Sequence, residues 1–242
     1  RDNLRQYVLD LLTLRKSVGS IDFNGGGADL DENDVYFLAH SLGAVNGIPF
    51  VAVANNSATP TDNITAANML MAGGGTSRMF ENSPLLSSGL LTDLAATGLT
   101  QDTASFQIYM NVLQATLDSI DPINYVQDYT GTTPVLFTEV IGDTVIPNSL
   151  DEASEVLGEG SVAHLSGTEP LAIASGAASL TTSGALEQNI VRFTEGNHNT
   201  AISPETVEGA AVFTEMVSQM ISIVVSGGTQ VTVTNSGVVQ TE

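Results

Sequence analysis

Apolar residues recur at helical spacing near the amino end, where Leu4, Val8, Leu11, Leu12 and Leu14 are interleaved with Arg5, Asp10, Arg15 and Lys16 and followed by Gly19. This pattern predicts a helix over 2–18. A Gly/Asp-rich connection from Ile21 to Asp34 leads into Val35-Tyr36-Phe37-Leu38, a β-rich apolar run of the kind found in strands buried on both faces. The run ends at Ser41, and Leu42-Gly43-Ala44-Val45-Asn46-Gly47 opens a helix of small residues, with Pro49 in its first turns or at a kink. Residues 64–72 read as a second strand, halted by Gly73-Gly74-Gly75. From Thr76 to Thr103 the chain mixes Met79, Phe80 and several leucines with Ser, Gly and Asn. That stretch reads as irregular, with a helix after it from about Thr103 to Ser119, and the region 76–130 is expected to form a lid or cap. Residues 135–140 and 190–193 read as strands, and 204–225 as a closing helix ended by Gly227-Gly228. Strands alternating with helices predict an α/β fold with a mostly parallel sheet and helices on both faces. The main domain is expected over 1–225, and the Val/Thr-rich tail at 226–242 alternates like one more strand.

Composition narrows the function classes. A chain of 242 residues with 42% apolar content can bury the core of one α/β domain. Its 27 acidic and 6 basic residues give a net charge of −21. Four of the six cations (Arg1, Arg5, Arg15 and Lys16) lie in the first helix, leaving Arg78 and Arg192 to meet any anionic partner. Such a surface repels nucleic acid. Cysteine is absent, which removes disulfides and thiolate metal sites. No run of about 18 uninterrupted apolar residues marks a transmembrane segment, and the amino end carries charge where a signal peptide would be apolar. High acidity with few lysines suits a salt-exposed exterior and equally a merely acidic soluble enzyme, so the expectation of a secreted or cell-surface protein comes from the resemblance given below.

Candidate chemistry gathers at Ala39-His40-Ser41-Leu42-Gly43, between a predicted strand and a predicted helix. That is the context of a nucleophile elbow, in which a sharp turn lifts the serine hydroxyl above the sheet edge and requires small residues two before and two after it. A serine needs a base and an orienting acid, which follow in the order Ser, Asp/Glu, His in this fold class. The chain holds three histidines. His40 lies inside the elbow and suits packing or a supporting contact. His198, in Gly196-Asn197-His198 after the strand at 190–193, is the first choice as base, and His164 the second. Asp143, directly after the strand at 135–140, is the first choice as acid. Its rival is Asp121 before Pro122, which reads as a turn cap. No cofactor or metal is required by this set, and Leu42 N–H would face the oxyanion.

Five segments together carry a resemblance: Ala-His-Ser-Leu-Gly at 39–43, Asp-Pro-Ile-Asn-Tyr at 121–125, Gly-Asp-Thr-Val-Ile-Pro-Asn at 142–148, Ser-Gly-Thr-Glu-Pro-Leu at 166–171 and Gly-Asn-His at 196–198. The chain over 1–225 resembles the extracellular lipases of marine and vibrio-type bacteria, within the α/β-hydrolase superfamily. The resemblance implies lipase, esterase or lysophospholipase activity on a lipid or small ester, with Ser41, Asp143 and His198 as the triad.

One departure follows. In that fold class a second oxyanion donor comes from a loop after an earlier strand, and only some 33 residues precede the elbow strand here. The first strands are therefore expected on an amino-terminal segment of the same protein, with the chain as its carboxyl-terminal portion. Gly25-Gly26-Gly27 and Gly73-Gly74-Gly75 are the alternative donors. Asp22, Asn24, Asp29 and Asp31 share the composition of a calcium loop, without the spacing or the twelfth-position Glu that an EF-hand needs. A non-catalytic interaction module on the same scaffold is the competing class.

Overall fold

Helix and strand alternate from the amino end. The helix α1 (Asp2–Ser17) leads to β1 (Tyr36–His40), α2 (Leu42–Asn55) and β2 (Ala66–Leu70). The short helices α3 (Thr76–Glu81) and α4 (Ser87–Ala96) and the longer α5 (Ala104–Leu117) precede β3 (Val135–Val140). Then come α6 (Thr168–Ser175), β4 (Ala178–Ser179), β5 (Gly184–Ala185), β6 (Gln188–Phe193), α7 (Val207–Val225) and β7 (Gln230–Val231). The computed structural model describes residues 1–129, 133–150 and 163–241. Thr130 at the end of the expected cap, Ser161 and Val162 before His164, and Glu242 at the end of the tail lie outside the described residues.

Five strands form one parallel sheet in the order β1-β2-β3-β6-β4. Period-two alternation divides its side chains between two cores. Ala67, Met69, Val135, Phe137 and Ile190 pack with α2, α6 and Val8 of α1, while Ala66, Leu70, Leu136, Val140, Val191 and Phe193 pack against Val212, Met216 and Ile223 of α7. Helices therefore cover both faces. Because the strands are parallel and in register (His40 with Leu70, Leu70 with Thr138, Val140 with Phe193), the loops after β1, β3 and β6 leave from one edge.

Several expectations need correction. The apolar run ending at His40 is the edge strand rather than one buried on both sides; Leu38 keeps 55% of its surface exposed. Pro49 lies inside α2 and is buried there. The stretch from Thr76 to Thr103 is helical over α3 and α4; α4 packs with α5 around Leu94, Phe106 and Met110, and α3 places Met79 and Phe80 with Val45 and Ile146. Its Ser, Gly and Asn content hid two short helices whose stability comes from that packing rather than from propensity. The tail forms only the two-residue strand β7, antiparallel to β5, and Val231, Val238 and Val239 join the core under α7. By length and composition α7 could cross a membrane, yet a third of its most apolar window is buried, and it lies on the sheet through Val212, Met216 and Ile223. No described helix is a clear transmembrane segment.

Candidate active site

Ser41 sits where β1 stops and α2 starts. Its N–H still pairs with the Leu70 carbonyl at 2.9 Å, as if the strand continued, while its own carbonyl already accepts from Ala44 and Val45 N–H, both at 2.9 Å. Serving both elements forces φ to 57° and ψ to −128°, a region that L-residues avoid and that costs about 1–3 kcal/mol. The strain turns the side chain up from the sheet edge.

Asp143 and His198 come from the neighbouring strand ends. After β3, Gly142 takes φ +79°, and the buried Asp143 carboxylate accepts Val145 N–H at 2.7 Å and Ile146 N–H at 3.1 Å through Oδ1. Oδ2 is left to face His198 Nδ1 at 2.7 Å. After β6, Gly196 at φ +107° turns so closely that a Cβ there would meet Thr200 Oγ1 at 2.7 Å. Thr200 Oγ1 in turn receives Asn197 N–H at 2.8 Å, and this tight loop presents the buried His198. His198 Nε2 lies 2.7 Å from Ser41 Oγ. A carboxylate can only accept, so Nδ1 carries the proton and Nε2 of the neutral ring is the acceptor for the serine hydroxyl.

Family models and curated proteins give no match to this chain. The site therefore rests on its own geometry.

The rival residues stand elsewhere. Buried Asp121 accepts from Gly75 and Thr76 N–H at 2.9 and 2.7 Å, from Gln114 Nε2 at 2.8 Å and from Ile123 N–H at 3.1 Å, tying the start of α3 to the turn at Pro122. His164 lines a separate cavity of about 420 Å³ with Arg78, Gln114 and Asp118. His40 is the third histidine at the site edge. Its Nε2 lies 2.6 Å from the His198 carbonyl oxygen, to which it must donate, and the two rings are 4.8 Å apart. Burial, the largest influence, holds its pKa below the ordinary 6.5.

Leu42 opens α2, where a first-turn N–H has no carbonyl four residues back to receive it. Five of the six glycine alternatives are engaged elsewhere, Gly73 being the exception. Gly25 and Gly27 donate to Asp22 Oδ1 and Oδ2 and Gly26 to Asn24 Oδ1, while Gly74 donates to the Gly167 carbonyl and Gly75 to Asp121. The same bonds, from Gly27 first, hold the Asp22 pKa below its usual value and spend the acids of the 22–31 loop on its own backbone. Among the described residues, no group of three or more His, Asp and Glu side chains is placed to hold a metal ion.

Residues outside the expected set also meet here. Glu139, Glu169, Arg192 and Asn148 cluster beneath the Asp143 turn. A charged pair in the β3 and β6 strands, Glu139 and Arg192, was the available signal: ions in buried strands need partners.

Proposed function

We propose that the chain is a serine carboxylic-ester hydrolase of α/β-hydrolase type. The observation that carries this reading is the continuous relay of Ser41 Oγ, His198 Nε2, His198 Nδ1 and Asp143 Oδ2, with both links at 2.7 Å and the serine on a strained strand-to-helix turn. In the first step Ser41 Oγ attacks the ester carbonyl and passes its proton to His198 Nε2, and Asp143 stabilises the resulting imidazolium. Leu42 N–H faces the oxyanion. His198 then protonates the leaving alkoxide, the alcohol departs, and water, deprotonated by the same ring, releases the acyl group as acid.

An apolar acyl group fits the surroundings. Leu42, Leu85, Leu86 and Ile202 are exposed; Leu42 follows the serine, Leu85 N–H donates to the Thr144 carbonyl beside Asp143, and Ile202 N–H bonds Asn199 in the His198 loop. In this reading α3, α4 and α5 are the cap over a lipid or ester substrate, and the acidic enzyme works outside the cell. The second oxyanion donor comes from an additional amino-terminal segment laid along β1, whose outer edge has no strand beside it among the described residues. Losing one donor costs about 3 kcal/mol, so residues 1–242 alone are expected to turn over slowly.

A fluorophosphonate probe tests the reading directly. Labelling of the wild type, abolished in Ser41→Ala and in His198→Ala, is the expected result. An unlabelled wild type with a normal melt would leave the interaction-module reading. Among p-nitrophenyl esters, the decanoate is expected to react faster than the acetate; the reverse order would exclude the apolar acyl site.

A further inference from the structure

Two segments that the relay does not use converge on its acid. Asn148 Oδ1 accepts Gly142 N–H at 2.7 Å, and Asn148 Nδ2 donates to the Val140 carbonyl at 3.0 Å and to Glu139 Oε2 at 2.9 Å. One amide thus closes the turn from which Asp143 projects. The Asn148 main-chain carbonyl also accepts Glu169 N–H at 2.8 Å. Glu139 is buried on β3, directly opposite Arg192 of β6. The Arg192 guanidinium grips both oxygens of Glu169, with Nη2 at 2.6 Å from Oε2, and its Nε stands 3.3 Å from Glu139 Oε1. Glu139 Oε1 and Glu169 Oε1 therefore meet at the same Arg192 Nε, which sets the two carboxyls side by side. Two touching carboxyls cannot both be ionised without a large repulsive cost, so one keeps a proton. The chelated Glu169 is the ionised partner, and Glu139 holds the proton.

We propose that Glu139 and Asn148 are positioning residues for Asp143: the neutral Glu139 carboxyl fixes Asn148, and Asn148 fixes the turn that aims the Asp143 carboxylate at His198. The kinetic consequence rests on the ester-hydrolase reading; the positioning itself does not. Burial first, and then the contact with Glu169, pushes the Glu139 pKa up to about 8, with Asn148 and Arg192 opposing. The charged or titratable groups facing Glu139 are Glu169 from α6 and Arg192 from β6. When Glu139 releases its proton to solvent, two carboxylates face one guanidinium, and their repulsion displaces Glu139 together with Asn148, which stays bonded to it.

The test follows the His198 Nδ1–H proton by NMR in 15N-histidine-labelled protein from pH 6 to 10, alongside kcat and KM. In the wild type the signal is expected to weaken with a midpoint near pH 8, and kcat to fall to about one half there and about one tenth a unit higher at constant KM. Glu139→Gln keeps the shape and the hydrogen bonds of the neutral acid and should abolish that midpoint. Glu169→Gln should abolish it too, because Glu139 then pairs with Arg192 alone and ionises at lower pH. Asn148→Ala should weaken the signal already at pH 7 without a matching loss of melting temperature. The same midpoint in the wild type and both glutamine variants would overturn the proposal. A midpoint that responds as expected in a protein lacking ester turnover would uphold the positioning and discard the hydrolase reading.

Discussion

At the scale of single residues, His40 shows how a neighbour in sequence becomes a support in space. It precedes the serine on β1, yet its hydrogen bond goes to the His198 carbonyl, across the site. Only a donor at that point can satisfy the carbonyl. His40→Phe is therefore expected to lower kcat about tenfold or more by loosening the base, at little change in KM, while His40→Gln, which can still donate, retains most of the rate. Equal losses in both variants in steady-state ester assays would rule out the hydrogen bond as the cause. Because burial depresses the His40 pKa, the stability tied to the neutral ring is fully present above pH 6.5 and is lost as pH falls below it.

Elements set the tolerance of the elbow, and they set it unevenly. The sequence pattern asked for a small residue at both 39 and 43. A Cβ at Gly43, however, would meet only Ala39 Cβ at 3.9 Å and Tyr7 Oη at 4.0 Å, which are ordinary contacts. One turn on, a Cβ at Gly47 would stand 2.3 Å from the Phe37 ring, which is packed against Phe50 at 5.1 Å and has little room to retreat. Close approach of α2 to β1 thus depends on Gly47 more than on Gly43. In urea melts, Gly43→Ala is expected to be neutral or stabilising by up to about 1 kcal/mol through helix propensity, and Gly47→Ala destabilising by roughly 1–3 kcal/mol. Destabilisation at Gly43 with none at Gly47 would show that the helix sits differently on the strand.

Over the whole molecule, charge is the dominant long-range term. The net charge of −21 is barely countered, since Arg78 is paired with Glu81 at 2.6 Å, Arg192 is held by Glu169, and Arg15 is buried against the carbonyls of Glu32 and Asn63. Self-repulsion of the acidic surface should therefore exceed the contribution of ion pairs. Raising NaCl from about 0.1 M to about 1 M shortens the Debye length from about 10 Å to about 3 Å and is expected to raise Tm by a few degrees. A fall in Tm would show that the ion pairs outweigh the repulsion. Glu139 adds a pH term of known sign: its pKa is raised in the fold, so the stability from its retained proton is complete below pH 4.5 and is lost as pH climbs to about 8. Melts of Glu139→Gln should be flatter than the wild type across that window.

The sequence by itself determined the elements with strong local signals. The amino-terminal amphipathic helix, the strands ending at His40, Leu70, Val140 and Phe193, the long helices α5 and α7, and the presence of Ser41, Asp143 and His198 on loops after strands all follow from periodicities of two and 3.6 and from glycines that stop them. These signals are carried by sterics within a few neighbouring residues. Lateral order was decided only by the tertiary structure: β1 at the edge, β2 beside it, and β3 next to β6. So was the difference between Asp143, left with a free oxygen for His198, and Asp121, whose oxygens are taken up by the start of α3 and its neighbours. The pairing of Glu139 with Asn148, Glu169 and Arg192 likewise appeared only once β3, β6 and α6 were packed. Which strands and side chains meet across tens of residues is fixed by how the sheet's two faces are buried, and a local window of sequence carries no measure of that.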